Sequence, residues 1–157
     1  MLGLVLASCV SKKQREPIAG EIKLKLIAEK DINPNESGHP APLNIFIFNV
    51  RDVDAFSNSS FFEIVEGTRQ PLQSAPSKIY EAILKPGESR TVFLTPESDV
   101  QTLGVIGAYR NLNESDWLII WDIPKTVRPW WKRWFSDDPI ELNVNFKKTT
   151  MTIKKMD

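Results

Sequence analysis

The sequence predicts an all-β fold, an antiparallel β-sandwich with one or two short added helices, and three features carry that reading. About eight short segments alternate apolar with polar residues, or are β-branched and aromatic throughout, at the close spacing of successive strands. The connections are polar and proline is frequent, 11 residues in 157, which suits a protein of many turns. At the centre, Ile45-Phe46-Ile47-Phe48 has no polar break, so it needs cover on both faces. Successive side chains point opposite ways, sending Ile45 and Ile47 into one layer and Phe46, Phe48 and Val50 into the other. One layer is expected to be a second sheet, and the other a helix or long connection outside it. A chain of this length forms one domain and buries a core without disulfides.

The order along the chain begins at Cys9, the single cysteine. It follows Met1-Leu2-Gly3-Leu4-Val5-Leu6-Ala7-Ser8, a short apolar run closing in small residues, and Leu6-Ala7-Ser8-Cys9 has the form of a bacterial lipoprotein processing site. A buried thiol or the start of a core strand is the alternative, and it leaves the polar stretch Ser11 to Pro17 without a reason. Residues 1–8 therefore read as a signal peptide remnant, 9–20 as a lipidated tether and 21–157 as the sandwich domain. A secretory leader usually runs about 15 to 30 residues and opens with positive charge. Only eight residues precede Cys9 and none is basic, so the leader is expected to begin upstream or to have been trimmed. Two or more acyl chains, at about 0.8 kcal/mol per buried methylene, make a stable anchor. Bacteria of the enteric type place Asp after the cysteine to retain a lipoprotein in the inner membrane. Val10 leaves the periplasmic face of the outer membrane as the expected address.

Glu21 to Glu29 alternates, with Ile22, Leu24, Leu26 and Ala28 on one face and mostly charge on the other. It reads as a half-buried strand whose outward lysines discourage edge pairing. Asp31 to Pro42 is a turn-rich connection longer than the usual hairpin loop. Long ordered loops carry function more often than short ones, although a purely solvated loop has the same composition. After the central strand, Ser60-Phe61-Phe62-Glu63 has the Ser-x-x-Glu form of a capping box and predicts a helix from about Ser60 to Gly67. That helix is the expected cover for Phe46 and Phe48. Ile79 to Leu84 and Arg90 to Leu94 flank Lys85-Pro86-Gly87-Glu88, a type II turn signal, because Pro fixes φ and Gly accepts the positive φ that follows. Two antiparallel strands are expected there. Leu103 to Arg110, Trp117 to Ile123, Ile140 to Phe146 and the alternation from Thr150 to Lys154 complete the set. Gly104 and Gly107 mark places where a neighbouring backbone or aromatic comes close.

Val127 to Asp138 interleaves Trp130, Trp131 and Trp134 with Arg128, Lys132 and Arg133. That mixture suits an interfacial membrane contact, a protein hot spot or base stacking; it equally suits rings folded onto an open end of the sandwich. The formal net charge is +0, with 20 basic and 20 acidic residues, and no phosphate-binding glycine motif is present, so no nucleic-acid partner is expected. No apolar run reaches the roughly 18 residues of a membrane-spanning helix. Material for catalysis is scarce. His39 is the single histidine, in a loop between Gly38 and Pro40, and sites built from several Cys and His ligands fail by count. Asp52, Asp54 and Glu63 stand close enough in sequence for a carboxylate pair or a calcium site, but solvated charge explains them. The expectation is a protein that is not an enzyme, without catalytic residues, metal or cofactor.

With these residues in place, the chain resembles the outer-membrane lipoprotein of the type VI secretion system, the TssJ family. The marks are the processing site at Cys9, the loop Asn33 to Pro42 leading into Leu43-Asn44-Ile45-Phe46-Ile47-Phe48, then Val53, Phe56 and the Phe61-Phe62 helix, Leu84-Lys85-Pro86-Gly87-Glu88, and Leu103 to Arg110. Their order and spacing cover most of the chain after Cys9. The resemblance implies a transthyretin-like β-sandwich with an added helical element. It implies a structural role as well, tying the periplasmic C-terminal domain of TssM to outer-membrane lipid through acylated Cys9. In the family the loop between the first two strands carries the TssM contact, which maps here onto Ile32, Asn33, Pro34, Asn35, Glu36, Ser37, Gly38, His39 and Pro40. Pro34, Pro40 and Pro42 restrict the loop and limit the ordering entropy lost on docking. Ile32 is expected to lend apolar contact area, and Asn33, Asn35 and Glu36 polar contacts. Trp130, Trp131 and Trp134 are expected as a secondary contact. The competing readings are a periplasmic ligand- or carbohydrate-binding lipoprotein that stacks sugars on those tryptophans, and a lipid-anchored inhibitor or hydrolase of the cell wall.

Overall fold

The computed structural model describes residues 21–67, 76–97, 99–124 and 140–156. Its strands, in chain order, are β1 (Ile22–Ala28), β2 (Leu43–Val50), β3 (Ser77–Leu84), β4 (Ser89–Leu94), β5 (Thr102–Gly107), β6 (Leu118–Asp122), β7 (Ile140–Phe146) and β8 (Met151–Met156). Two short helices, α1 (Val53–Ser57) and α2 (Phe61–Glu66), follow β2, and a 3-10 turn at Leu112–Glu114 precedes β6. The strands form two four-stranded sheets, ordered β4-β1-β7-β8 (sheet A) and β3-β2-β5-β6 (sheet B). The expected sandwich is therefore present. One pairing departs from antiparallel: β1 and β7 run parallel, with Ile22 opposite Ile140 through to Ala28 opposite Phe146.

Side-chain alternation builds the two cores. Leu24 and Leu26 of β1, Ile45 and Ile47 of β2, Val105 of β5 and Leu142, Val144 and Phe146 of β7 fill the space between the sheets. Phe46, Phe48 and Val50 point the other way and meet Ile106, Phe56 and Ile64 outside sheet B. β2 is thus buried on both faces, as its unbroken apolar run requires.

The outer cover comes from both helices, with α1 joining the α2 that the sequence predicts. Asp52 caps α1 by accepting the Ala55 N–H at 3.0 Å, and Ser60 caps α2 by accepting the Glu63 N–H. Each cap satisfies a backbone donor that the helix cannot. Phe56 of α1 lies 6.1 Å from the Phe48 ring. It presses so closely on β5 that a Cβ on Gly104 would stand 2.5 Å from its ring, which is why glycine occupies that position.

The Lys85–Glu88 turn has the expected form but not the expected consequence. Gly87 takes φ +79° and the Glu88 N–H donates to the Lys85 carbonyl at 3.0 Å. β3 and β4 nevertheless do not pair with each other: β3 lies beside β2 in sheet B, and β4 beside β1 in sheet A. A local hairpin would put both strands on one sheet and leave the facing core open along the other edge, exposing apolar surface.

The register sets a polarity. β1, β3, β5 and β7 run from one end of the sandwich to the other, and the remaining strands return. Glu21 and Met156, the first and last described residues, share one end. Connections 29–42, 85–88, 108–117 and 147–150 gather at the opposite end.

Candidate functional site

The long β1–β2 connection has a fixed base and a self-supported tip. At its base Asn33 adopts φ +47°, a left-handed conformation that Asn tolerates better than most residues. Its amide group spans the end of the sandwich: Nδ2 donates to the Pro42 carbonyl at 2.9 Å and Oδ1 accepts the Arg110 N–H at 2.8 Å. The Asn33 backbone N–H donates to the Lys148 carbonyl at 3.0 Å. One buried side chain and its peptide thereby join three connections.

Asn35 does for the tip what Asn33 does for the base. Its Oδ1 accepts the N–H groups of Ser37 at 2.9 Å and His39 at 3.0 Å. Its own N–H donates to the His39 carbonyl at 2.8 Å, and its carbonyl accepts the Gly38 N–H at 2.9 Å. Gly38, at φ +78°, permits the reversal. The closed tip leaves Glu36, Ser37, Gly38, His39 and Pro40 exposed, while Pro34 and Asn35 are half-buried. Glu36 stands 4.0 Å from the Arg110 guanidinium, with its side chain 96% exposed, so solvent screens the pair and it contributes little.

Two of the sequence-predicted contact residues belong to the interior. Ile32 is 0% exposed and Asn33 5%, so neither can lend surface to a partner. The chain passes from sheet A to sheet B here, and the open end of the core needs an apolar plug and a satisfied polar clamp. The surface candidates that remain run from Pro34 to Pro40.

Sequence reasoning missed a second clamp. Tyr109 is 3% exposed, and its hydroxyl shares its proton between the carbonyls of Lys147 at 3.0 Å and Thr150 at 2.9 Å. Burial first, then the charges of Asp116 and Glu29, push the phenol pKa well above its ordinary value. The available signal was a tyrosine directly after the small pair Gly107-Ala108, where a large ring can fold back over backbone. Its phenol lies close enough to Gly107 that a Cβ there would meet the ring at 2.8 Å.

Asp52, Asp54 and Glu63 sit at the starts of α1 and α2, Asp52 as a cap and the other two in first turns, where negative charge favours the helix. Among the described residues no group of three His, Cys, Asp or Glu is placed to hold a metal ion, and no helix is long and apolar enough to cross a membrane. Cys9, Trp130, Trp131 and Trp134 lie outside the described residues. The segment holding the tryptophans leaves β6 and returns in β7 at the end that carries Glu21: the Ile123 N–H donates to the Gln101 carbonyl there, and Ile140 stands opposite Ile22.

A family model described as type VI secretion lipoprotein, VasD, EvfM, TssJ matches residues 20–150. The chain belongs to this family. Solved structures share the fold of this secretion lipoprotein. TssJ1 from Pseudomonas aeruginosa, a T6SS lipoprotein, superposes with a TM-score of 0.74 at 22% identity, over 87% of this chain and 96% of that one. Lip from Serratia marcescens, a membrane bound component of the type VI secretion system, gives a TM-score of 0.73 at 24% identity, over 89% and 100%. A structure described as the T6SS protein TssM C-terminal domain from EAEC contains a chain that matches with a TM-score of 0.64 at 18% identity, over 85% and 99%. No curated protein matches the sequence.

Proposed function

We propose that this secretion lipoprotein is a structural component of the type VI membrane complex, held on the periplasmic face of the outer membrane by acyl chains on Cys9. Its β1–β2 tip, Pro34 to Pro40, would grip the periplasmic C-terminal domain of TssM. The observation that carries this reading is the opposition of the two ends. The tether meets β1 at Glu21, while the exposed tip stands at the far end, ordered by Asn33 and Asn35 before any partner arrives. A loop already held in shape loses less conformational freedom on docking. The fold's recurrence in a structure described by its TssM domain supports the pairing. Trp130, Trp131 and Trp134, whose segment joins the sandwich at the tether end, are proposed as a secondary contact there.

The test is calorimetry with the periplasmic domain of TssM. Glu36→Arg together with His39→Asp alters the tip while leaving Asn33 and Asn35 in place, and is expected to weaken binding by roughly two orders of magnitude, the scale of central interface residues. Unchanged affinity would move the interface elsewhere. Cys9→Ser should release the protein from the outer-membrane fraction, and its retention there would refute the anchor.

A further inference from the structure

The zero net charge of the chain conceals a separation at the tether end of the sandwich. Outside sheet A, Lys23 and Lys25 of β1 and Lys154 of β8 project together, because Lys25 and Lys154 both stand opposite Asn143. Lys155, opposite the core residue Leu142, turns to the other face of β8 and is not part of this group. Against these three lysines stand Glu21 and Glu141, the latter 3.7 Å from Lys23. Outside sheet B the same end carries Asp52, Asp54 and Asp122 with Lys78 over the Phe46 ring, and in the connection from β4 to β5 Glu97 and Asp99 are both bonded to Arg51. α1 and α2 cover sheet B; no described element covers sheet A. Lys23, Lys25, Thr91, Asn143 and Met156 line an open trough of about 340 Å³ on it, together with Leu142 and the carboxylate of Glu141 that pairs with Lys23.

We propose that this lysine-bearing face of sheet A seats on the anionic phospholipid of the leaflet that holds the anchor. The proposal rests on the reading of Cys9 as lipidated, which sets where the face can go. Residues 9–20, fully extended, reach about 40 Å, so the face stays near one leaflet and meets it at high effective concentration. Anionic headgroups attract clustered lysines over roughly a Debye length, about 8–10 Å. Thr91 and Asn143 supply neutral hydrogen-bonding groups between those lysines, and Met156 an apolar one. The acidic side is repelled by the same surface, so the charge separation fixes the roll of the molecule: sheet A towards lipid, α1 and α2 away from it. A uniform surface of the same net charge would set no such orientation.

Vesicle flotation of the full chain carrying Cys9→Ser tests the face without acylation. Phosphatidylcholine vesicles are compared with vesicles that also contain phosphatidylglycerol. Binding is expected on the anionic vesicles, and salt should release it. Lys25→Glu with Lys154→Glu is expected to weaken binding by about tenfold or more. Lys30→Glu with Lys148→Glu makes the same change in net charge at the far end and is expected to alter it by less than about twofold. The milder Lys25→Gln with Lys154→Gln pair, which keeps both side chains long and soluble, should show a smaller loss in the same direction. Equal losses from the two reversal pairs, or none from the sheet A pair, would overturn the proposal. Failure of the anchor reading shows separately, as retention of Cys9→Ser in the outer-membrane fraction of cells.

Discussion

Asn33 and Tyr109 each satisfy backbone groups that belong to other connections, and single substitutions there should be felt far from the substituted atom. Asn33→Ala strands the Arg110 N–H and the Pro42 carbonyl and forces alanine into a left-handed conformation. The expected loss is about 2–4 kcal/mol. Asn33→Gly removes the conformational part alone and should recover roughly 1 kcal/mol of it. Urea midpoints that place the two variants together would show that the backbone conformation carries no cost. Tyr109 adds a pH dependence. Its folded pKa lies above the unfolded one, so its contribution is complete below the ordinary phenol value of about 10. The contribution is lost as pH rises beyond it, because the unfolded chain releases the proton first. Denaturation from about pH 8 to about pH 11 should show wild type losing more stability than Tyr109→Phe. Parallel curves would mean that the ring is not sealed from solvent.

Packing between elements turns on the contact of α1 with β5. A five-residue helix holds few internal hydrogen bonds and is kept by what it covers, here the Phe48 ring and the bare backbone of Gly104. Phe56→Ala is expected to cost about 3–5 kcal/mol. Gly104→Ala should cost about 1–3 kcal/mol, because the methyl group meets the ring. In the double variant the clash has no ring to meet, so the combined loss should fall below the sum by about 1 kcal/mol or more. Additive losses in a thermal or urea melt would place Phe56 away from Gly104. The turn at Gly87 shows the same logic reversed, since its own geometry is local and correct while the destination of its two strands is set by the rest of the protein.

For the whole molecule the decisive pairing joins two strands far apart in sequence, β1 and β7. β1 sits at the middle of sheet A, between β4 and β7, and β7 starts more than a hundred residues later. The sheet cannot close until β7 has been synthesised. Loop closure over that distance makes folding slow relative to helical proteins of equal size. Truncation after Pro139 removes β7 and β8, strips the inner face of sheet A of Leu142, Val144 and Phe146, and exposes one side of β1. Such a chain is expected to show no cooperative melt by circular dichroism, and a sharp transition would demonstrate that β1 is held by β4 and the facing sheet alone. The same arrangement puts the first and last described residues at one end and the β1–β2 tip at the other, so attachment at the first leaves the second free.

What the sequence determined by itself was every feature with a short period. Alternation in Glu21 to Glu29 and Ile140 to Phe146 named strands and their buried faces, the unbroken run from Ile45 to Phe48 demanded two covers, and Ser60 with Glu63 marked the start of α2. Each depends on residues within a few positions of one another, where backbone geometry fixes what points where. Tertiary structure alone decided that β1 lies parallel to β7, that β3 and β4 part at a well-formed turn, and that Ile32 and Asn33 serve the core while Glu36 to Pro40 face solvent. Those outcomes depend on which distant strand offers the better buried face and on where the chain crosses between sheets. Local periodicity carries no record of either.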